Sequence, residues 1–392
     1  MNPKRAATMI HASYDVIVLG LGAMGSSAAY ELARRCRRVL GLEQFNLGHD
    51  RGSSHGQTRI IRKAYFEHPD YVPLLHRAFE RWYELEQLRA EHLFTECGCL
   101  NIGQPGGELI DGVRASARQH QLATDELTAA ELRKSFPQFR YGDDYVGVLE
   151  REAGFLYVEK CVKAYQEEAA ALGAQLREHE PAVSWQVNGK GVVVQTRSHQ
   201  FAADRLVITA GAWAAPVLAE LKLPLTVRRK VLLWFATSDE RKYRRDVFPI
   251  YLSELPGGKY FYGFPVIDRQ GHKVARHDGG DAVADPAKVN RAVTLEDEKC
   301  LRDFLDEYLP GVNGPMNAGR VCLYTLTPDQ HFIIDRHPQH EQVVIAAGFS
   351  GHGFKFASVV GEILADLSDK GASDLPIQMF RLNRWSSGAA RT

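Results

Sequence analysis

Tyr14-Asp15-Val16-Ile17-Val18-Leu19-Gly20-Leu21-Gly22-Ala23-Met24-Gly25 is the stretch from which the fold is read. Its first six residues form the apolar, β-branched run that fills a buried parallel strand, and they deliver the chain into a G-x-G-x-x-G turn. Ser26 to Arg35 continues as a helical pattern, small and apolar on one side, and Arg38 to Leu42 reads as a second strand ending at Glu43. In such a unit the first glycine permits the tight turn, the second lets a pyrophosphate approach the backbone, and the third lets helix and strand pack closely. The helix N-terminus then faces the phosphates. Glu43 lies 23 residues after Gly20 (43 − 20), near the spacing at which an acid accepts hydrogen bonds from a ribose. Gly20, Gly22, Gly25 and Glu43 are therefore candidate contacts to a dinucleotide, although the motif alone does not separate a nicotinamide from a flavin.

Two later segments repeat the design. Ala203 to Trp213 is an apolar strand ending in small residues and Gly211, as expected where backbone passes close to a cofactor. Val343 to Gly353 runs from a strand into glycines, and a helix is predicted from Phe354 to about Leu367. Cofactor-like strand ends at the start, middle and end of the chain imply a discontinuous nucleotide domain of residues 14–90, 146–225 and 318–385. The intervening residues 91–145 and 226–317, with strand-like runs at Val231 to Phe235 and Lys259 to Phe264, are expected to form an inserted second domain. Residues 1–13 read as an N-terminal extension.

Composition narrows the function class. A chain of 392 residues is too long for one core, which agrees with two domains. With 48 basic against 48 acidic side chains, nothing steers it toward nucleic acid or an anionic membrane. The cysteines Cys36, Cys97, Cys99, Cys161, Cys300 and Cys322 follow no framework spacing, and Cys97-Gly98-Cys99 lacks the second pair that a zinc site needs. A reducing cytoplasm is expected. Residues 1–13 lack the long apolar core of a signal peptide, and the apolar stretch Leu206 to Leu221 is interrupted by Pro216 and too short to span a bilayer, so a soluble protein is expected.

Three further motifs carry a resemblance. Gly52-Ser53-Ser54-His55-Gly56-Gln57-Thr58-Arg59-Ile60-Ile61-Arg62, Cys322-Leu323-Tyr324-Thr325 with Thr327-Pro328-Asp329, and Gly348-Phe349-Ser350-Gly351-His352-Gly353-Phe354-Lys355 closely resemble the monomeric sarcosine oxidase family, which also includes N-methyltryptophan oxidase and pipecolate oxidase. The resemblance runs from about Tyr14 to Leu382. It implies a mixed α/β architecture, with a Rossmann-like FAD-binding domain of the D-amino-acid-oxidase type and an inserted antiparallel-sheet substrate domain. It also implies a monomer that oxidises a secondary amino acid to an imine, which water hydrolyses, and that passes the electrons to dioxygen to give hydrogen peroxide. By the same resemblance Cys322 is bonded covalently to the flavin, with His55 and Gly351 joining the cofactor contacts. Arg62 and Lys355 would hold the substrate carboxylate, Arg59 and His352 would lie beside the flavin, and Lys273 would promote the reaction with dioxygen. His277 and Tyr262 would line the substrate cavity.

The residues themselves leave some of this open. An isolated thiol such as Cys322 is more commonly a buried structural cysteine. Arg59 and Arg62 are three apart, so on a helix-like turn they would share a side while Ile60 and Ile61 pack away, and the alternative is a solvated basic face. In a strand Lys273, Ala275 and His277 share one face. Tyr262, in an alternating aromatic strand, reads on its own as core packing. Arg276 stands where the family suggests an aromatic residue, and Leu326 where it suggests a polar one; both are expected to alter substrate preference. The rival functions are pipecolate or N-methyltryptophan oxidation, a flavin dehydrogenase with another acceptor, and a nicotinamide-dependent reductase.

Overall fold

The computed structural model describes residues 10–385, and its chain divides into two compact units. The first comprises the segment through Ser54, Glu159–Thr226 and the segment from Thr325 onward; the second comprises His55–Val158 and Val227–Tyr324.

In the first unit the strand Ile10–Leu19 pairs in parallel with Val39–Leu42 on one side and with Gln200–Ile208 on the other. His340–Ala347 adds in parallel beyond Gln200–Ile208, and Gln175–Arg177 beyond Val39–Leu42. The registers Leu19↔Leu42, Leu19↔Ile208 and Ile208↔Ile345 bring these strands to one carboxyl edge, the edge where ligands bind in open α/β sheets. The continuous apolar run is explained by burial on both faces: Ile17, Leu40, Leu206 and Ile345 are all fully buried. The helix Ala23–Arg34 packs on the helix Ala357–Lys370, where a Cβ on Gly361 would overlap Ser27. A 3₁₀ turn, Phe354–Phe356, precedes that second helix.

Among the described residues, the second unit holds an eight-stranded sheet in the order Met316–Leu326, Thr226–Phe235, His272–Arg276, Lys259–Phe264, Ile250–Leu255, Cys99–Gly103, Val146–Glu150 and Asp125–Leu127. Period-two alternation divides its side chains between two cores. Leu233, Phe235, Phe261 and Val274 enter one, while Leu232, Trp234, Tyr262, Phe264, Ala275 and Cys322 enter the other. The second of these faces carries the candidate site.

Two expectations change here. Arg59-Ile60-Ile61-Arg62 is not a helical turn: Thr58–Ile61 is a strand, antiparallel to Gly154–Tyr157, which also pairs with Phe94–Glu96. That small sheet ties residues 55–90 and 146–158 to the second unit, which also takes 318–324 through the strand Met316–Leu326, so the units divide elsewhere than the sequence suggested. Among the described residues, no helix is long and apolar enough to cross a membrane.

Candidate active site

In the first unit the G-x-G-x-x-G turn has the geometry of a phosphate cradle. Gly20 has φ +88°, and a Cβ there would stand 2.7 Å from the Thr209 carbonyl oxygen. A Cβ on Gly25 would collide with the Gly20 carbonyl oxygen, so helix and strand approach as closely as the motif requires. Gly22 is the N-cap of the helix, with no side-chain cap and no acidic residue in the first turn, which leaves the positive end of the helix dipole to an anion. Ser54 Oγ accepts from the Ala23 N–H at 3.0 Å. Glu43 Oε2 accepts from the Leu21 N–H at 2.9 Å and Oε1 from the Phe45 N–H at 3.1 Å. Burial works against this carboxylate, yet His49 and the two backbone donors hold its pKa below the usual range, so it stays an anionic acceptor.

The glycines after His340–Ala347 form a second set of tight turns. Gly348, Ser350 and Gly351 have φ +62°, +47° and +82°, and Ser350 is held by its N–H on the Thr325 carbonyl at 2.9 Å. His352 Nε2 lies 3.0 Å from the Gln330 carbonyl oxygen, and the buried Lys355 donates its Nζ to the His352 carbonyl at 2.8 Å. Gly211 has φ +53° and open space where a Cβ would be.

In the second unit residues singled out in the first, third and fourth quarters of the sequence converge. Lys273 is 1% exposed, and its Nζ donates to Gly56 O (2.6 Å), Thr58 O (2.9 Å) and Thr58 Oγ1 (3.1 Å). It also lies over the rings of Phe264 and Trp234, 4.5 and 5.4 Å from their centroids. The loop that receives it is held by Gln57, in the left-handed region at φ 72°, whose side chain accepts from Trp234 Nε1 at 2.9 Å and donates to Asp268 at 2.6 Å. Arg59 donates to the Thr58 carbonyl at 2.8 Å and reaches Cys322 Sγ at 3.5 Å.

Cys322 is fully buried, which by itself raises a thiol pKa. The neighbouring His55 ring and the Arg59 and Lys273 cations outweigh burial and bring it to about 7. His55 stands beside this thiol, and among the described residues neither of its ring nitrogens has a hydrogen-bond partner. On the same face the hydroxyls of Tyr262 and Tyr324 lie 3.4 Å apart, and the His277 ring is 5.5 Å from that of Tyr324 and 6.4 Å from that of Tyr262. Burial raises both phenol pKa values, so both remain donors.

Arg62 is buried but already has an anion. Its Nη2 donates to both Glu67 carboxylate oxygens (3.1 and 2.9 Å) and its Nη1 to the Ala64 carbonyl (3.1 Å), while Nε has no partner among the described residues. The solvated basic face is therefore not what the chain forms there.

The DAO family model, described as FAD dependent oxidoreductase, matches residues 15–367. Over 378 residues the chain is 43% identical to a protein named monomeric sarcosine oxidase from Bacillus sp. (strain B-0618), covering 95% of this chain and 96% of that protein. The chain belongs to the DAO family of FAD-dependent oxidoreductases and, within it, to the monomeric sarcosine oxidase family. It is also 35% identical over 374 residues to N-methyl-L-tryptophan oxidase from Citrobacter koseri, covering 95% of this chain and 99% of that protein. The fold is shared with NikD, described as an unusual amino acid oxidase essential for nikkomycin biosynthesis, at a TM-score of 0.82 and 24% identity over 94% of this chain and 97% of that one.

The chain's residues fit the cofactor of this FAD-dependent family. A phosphate cradle at an uncapped helix N-terminus and a buried acid at the end of the second strand are features such a group would use. Sequence reasoning missed Thr58, Trp234, Tyr324 and Lys230 as parts of the second cluster. Parity offered a signal, since Tyr324 is two residues from Cys322, and Lys230 two and four from Leu232 and Trp234. Arg276 points the other way: it alternates with Ala275, forks onto Asp278 and reaches Cys300, so it sits on the face opposite Tyr262 and does not line the cluster.

Proposed function

We propose that this chain oxidises a small secondary amino acid, sarcosine first among the candidates, and reduces dioxygen to hydrogen peroxide, acting as a monomer with FAD attached through Cys322. The observation that carries this reading is the convergence of Arg59, Lys273 and His55 on one buried thiol of lowered pKa. Bound FAD supplies the two-electron acceptor for the C–H bond beside the substrate nitrogen.

The chain's own groups then have distinct tasks. Gly20, Gly22 and Gly25, with Glu43, hold the dinucleotide portion, and Gly211 and Gly351 supply turns at the same strand edge. His55 and Arg59 beside Cys322 favour its thiolate, the nucleophilic form. Arg62 and Lys355 are assigned to the substrate carboxylate on the family resemblance, and Arg62 retains its Nε–H for an acceptor while Nη2 stays on Glu67. His277, with the protonated phenols of Tyr262 and Tyr324, orients the amine. The surrounding cations disfavour a protonated amine, which leaves the nitrogen lone pair free. Lys273, fixed by three acceptors, is a preorganised positive charge for the electron-rich oxygen that forms during dioxygen reduction, and His352 stiffens its turn from the Gln330 carbonyl.

A peroxide assay in air tests the reading. Sarcosine, pipecolate and N-methyltryptophan are offered alongside glycine, which has the carboxylate but only a primary amine. Peroxide from at least one secondary amino acid, well above that from glycine, is expected; no peroxide from any of the three would overturn it.

A further inference from the structure

The bend that follows His277 is held by a lysine to which the proposed chemistry gives no role. Lys230 lies in the strand Thr226–Phe235 and shares a face with Leu232 and Trp234. It is buried, and its Nζ donates to the carbonyl oxygens of His277 (2.7 Å), Asp278 (2.5 Å) and Gly279 (3.2 Å). Three acceptors use all three donors of an ammonium group. The same Nζ sits 5.1 Å from the centroid of the Tyr324 ring, which faces the His277 ring at 5.5 Å.

Asp278 fastens the bend from its other side. Its carboxylate accepts from the Tyr260 N–H at 2.6 Å and from the Arg276 fork. Gly279 and Gly280, with φ +63° and +92°, reverse the chain, and a Cβ on Gly280 would stand 3.1 Å from Lys230 Cδ. The backbone is thus shaped around this lysine, and the three carbonyls it gathers begin at the residue whose ring enters the cluster.

We infer that Lys230 is a positioning residue that sets the pose of the His277 ring against Tyr324, and through it the orientation of the substrate amine. The second half of this statement rests on the proposed role of His277; the first does not. Lys230→Met keeps most of the side chain's length and its unbranched shape but removes every donor.

Two measurements on the FAD-loaded protein test it. Crystal structures of wild type and Lys230→Met are compared at residues 277–279, where a displacement of about 1 Å and a separation of the His277 and Tyr324 rings are expected. The loss in kcat/KM for sarcosine, about 10²-fold for a misplacement of that size, is then followed in Lys230→Met, His277→Ala and the double variant. A lysine that acts through His277 adds no loss to His277→Ala, whereas an independent structural effect multiplies with it. An unmoved bend, or multiplying losses, overturns the inference. Should Lys230→Met not fold, Lys230→Gln, which keeps two N–H donors but no charge, carries the same comparison and criteria. If wild type does not oxidise sarcosine, the functional reading falls, and the displacement of the bend alone decides the inference.

Discussion

Replacing Arg59 with leucine should slow covalent attachment of FAD at neutral pH, and the size of the effect follows from Cys322. Its thiol lies at about 7 instead of the ordinary 9.0, because His55, Arg59 and Lys273 together outweigh burial. At about pH 7 roughly half of such thiols are thiolate, against about one in a hundred for an unperturbed one, so the cluster raises the nucleophilic form about 50-fold. Since the folded-protein value is depressed, the thiolate is lost as pH falls through about 7 and is nearly complete above it. The assay mixes flavin-free protein with FAD across a pH series, denatures samples with time and reads the fluorescence that stays on the chain. Wild type should show a rate that climbs to an inflection near the Cys322 value and then levels. Arg59→Leu keeps His55 and Lys273, so its inflection should move upward and its rate at about pH 7 should fall by more than a few-fold and by no more than about 50-fold. If the wild-type rate keeps rising about tenfold per pH unit through roughly pH 8, or if Arg59→Leu leaves the inflection in place, the electrostatic reasoning is wrong.

Other outcomes follow from the same geometry. Lys273→Met should leave anaerobic reduction by substrate nearly intact while slowing reoxidation by dioxygen about 10²- to 10³-fold in stopped-flow measurements, the loss typical of one preorganised stabilising group. Arg62→Met strands the Glu67 carboxylate, whose partner side chain is only 2% exposed, and should lower stability to denaturant by about 3 kcal/mol as well as raising KM. Gly25→Ala drives a methyl group into the Gly20 carbonyl and should cost at least about 1–3 kcal/mol, read as lost yellow colour and a lower Tm.

The parts of the fold legible in the sequence were those written in local periodicity. Tyr14 to Glu43 carries strand, glycine turn, helix and strand within one short unit, so each local preference agrees with the next. Arg59-Ile60-Ile61-Arg62 was not legible, because its strand pairs with Gly154–Tyr157, far along the chain, and the spacing of the two arginines suggested a turn instead. The domain boundaries followed from that same long-range pairing. In the site, Lys273 and Cys322 came from motifs, whereas Lys230 and Trp234 emerge only once strand register sets the Thr226–Phe235 strand beside His272–Arg276, and Thr58 only through its contacts with Lys273. Arg276 shows the limit of proximity in sequence: it precedes His277 by one residue, and alternation sends it to the opposite core.

Anaerobic titration of the yellow protein with sarcosine, followed by admission of air, tests the central claim most directly. The account predicts that the flavin absorbance bleaches with stoichiometric substrate and returns in air with release of hydrogen peroxide. A flavin that is plainly present yet stays oxidised under sarcosine, pipecolate and N-methyltryptophan alike would contradict it.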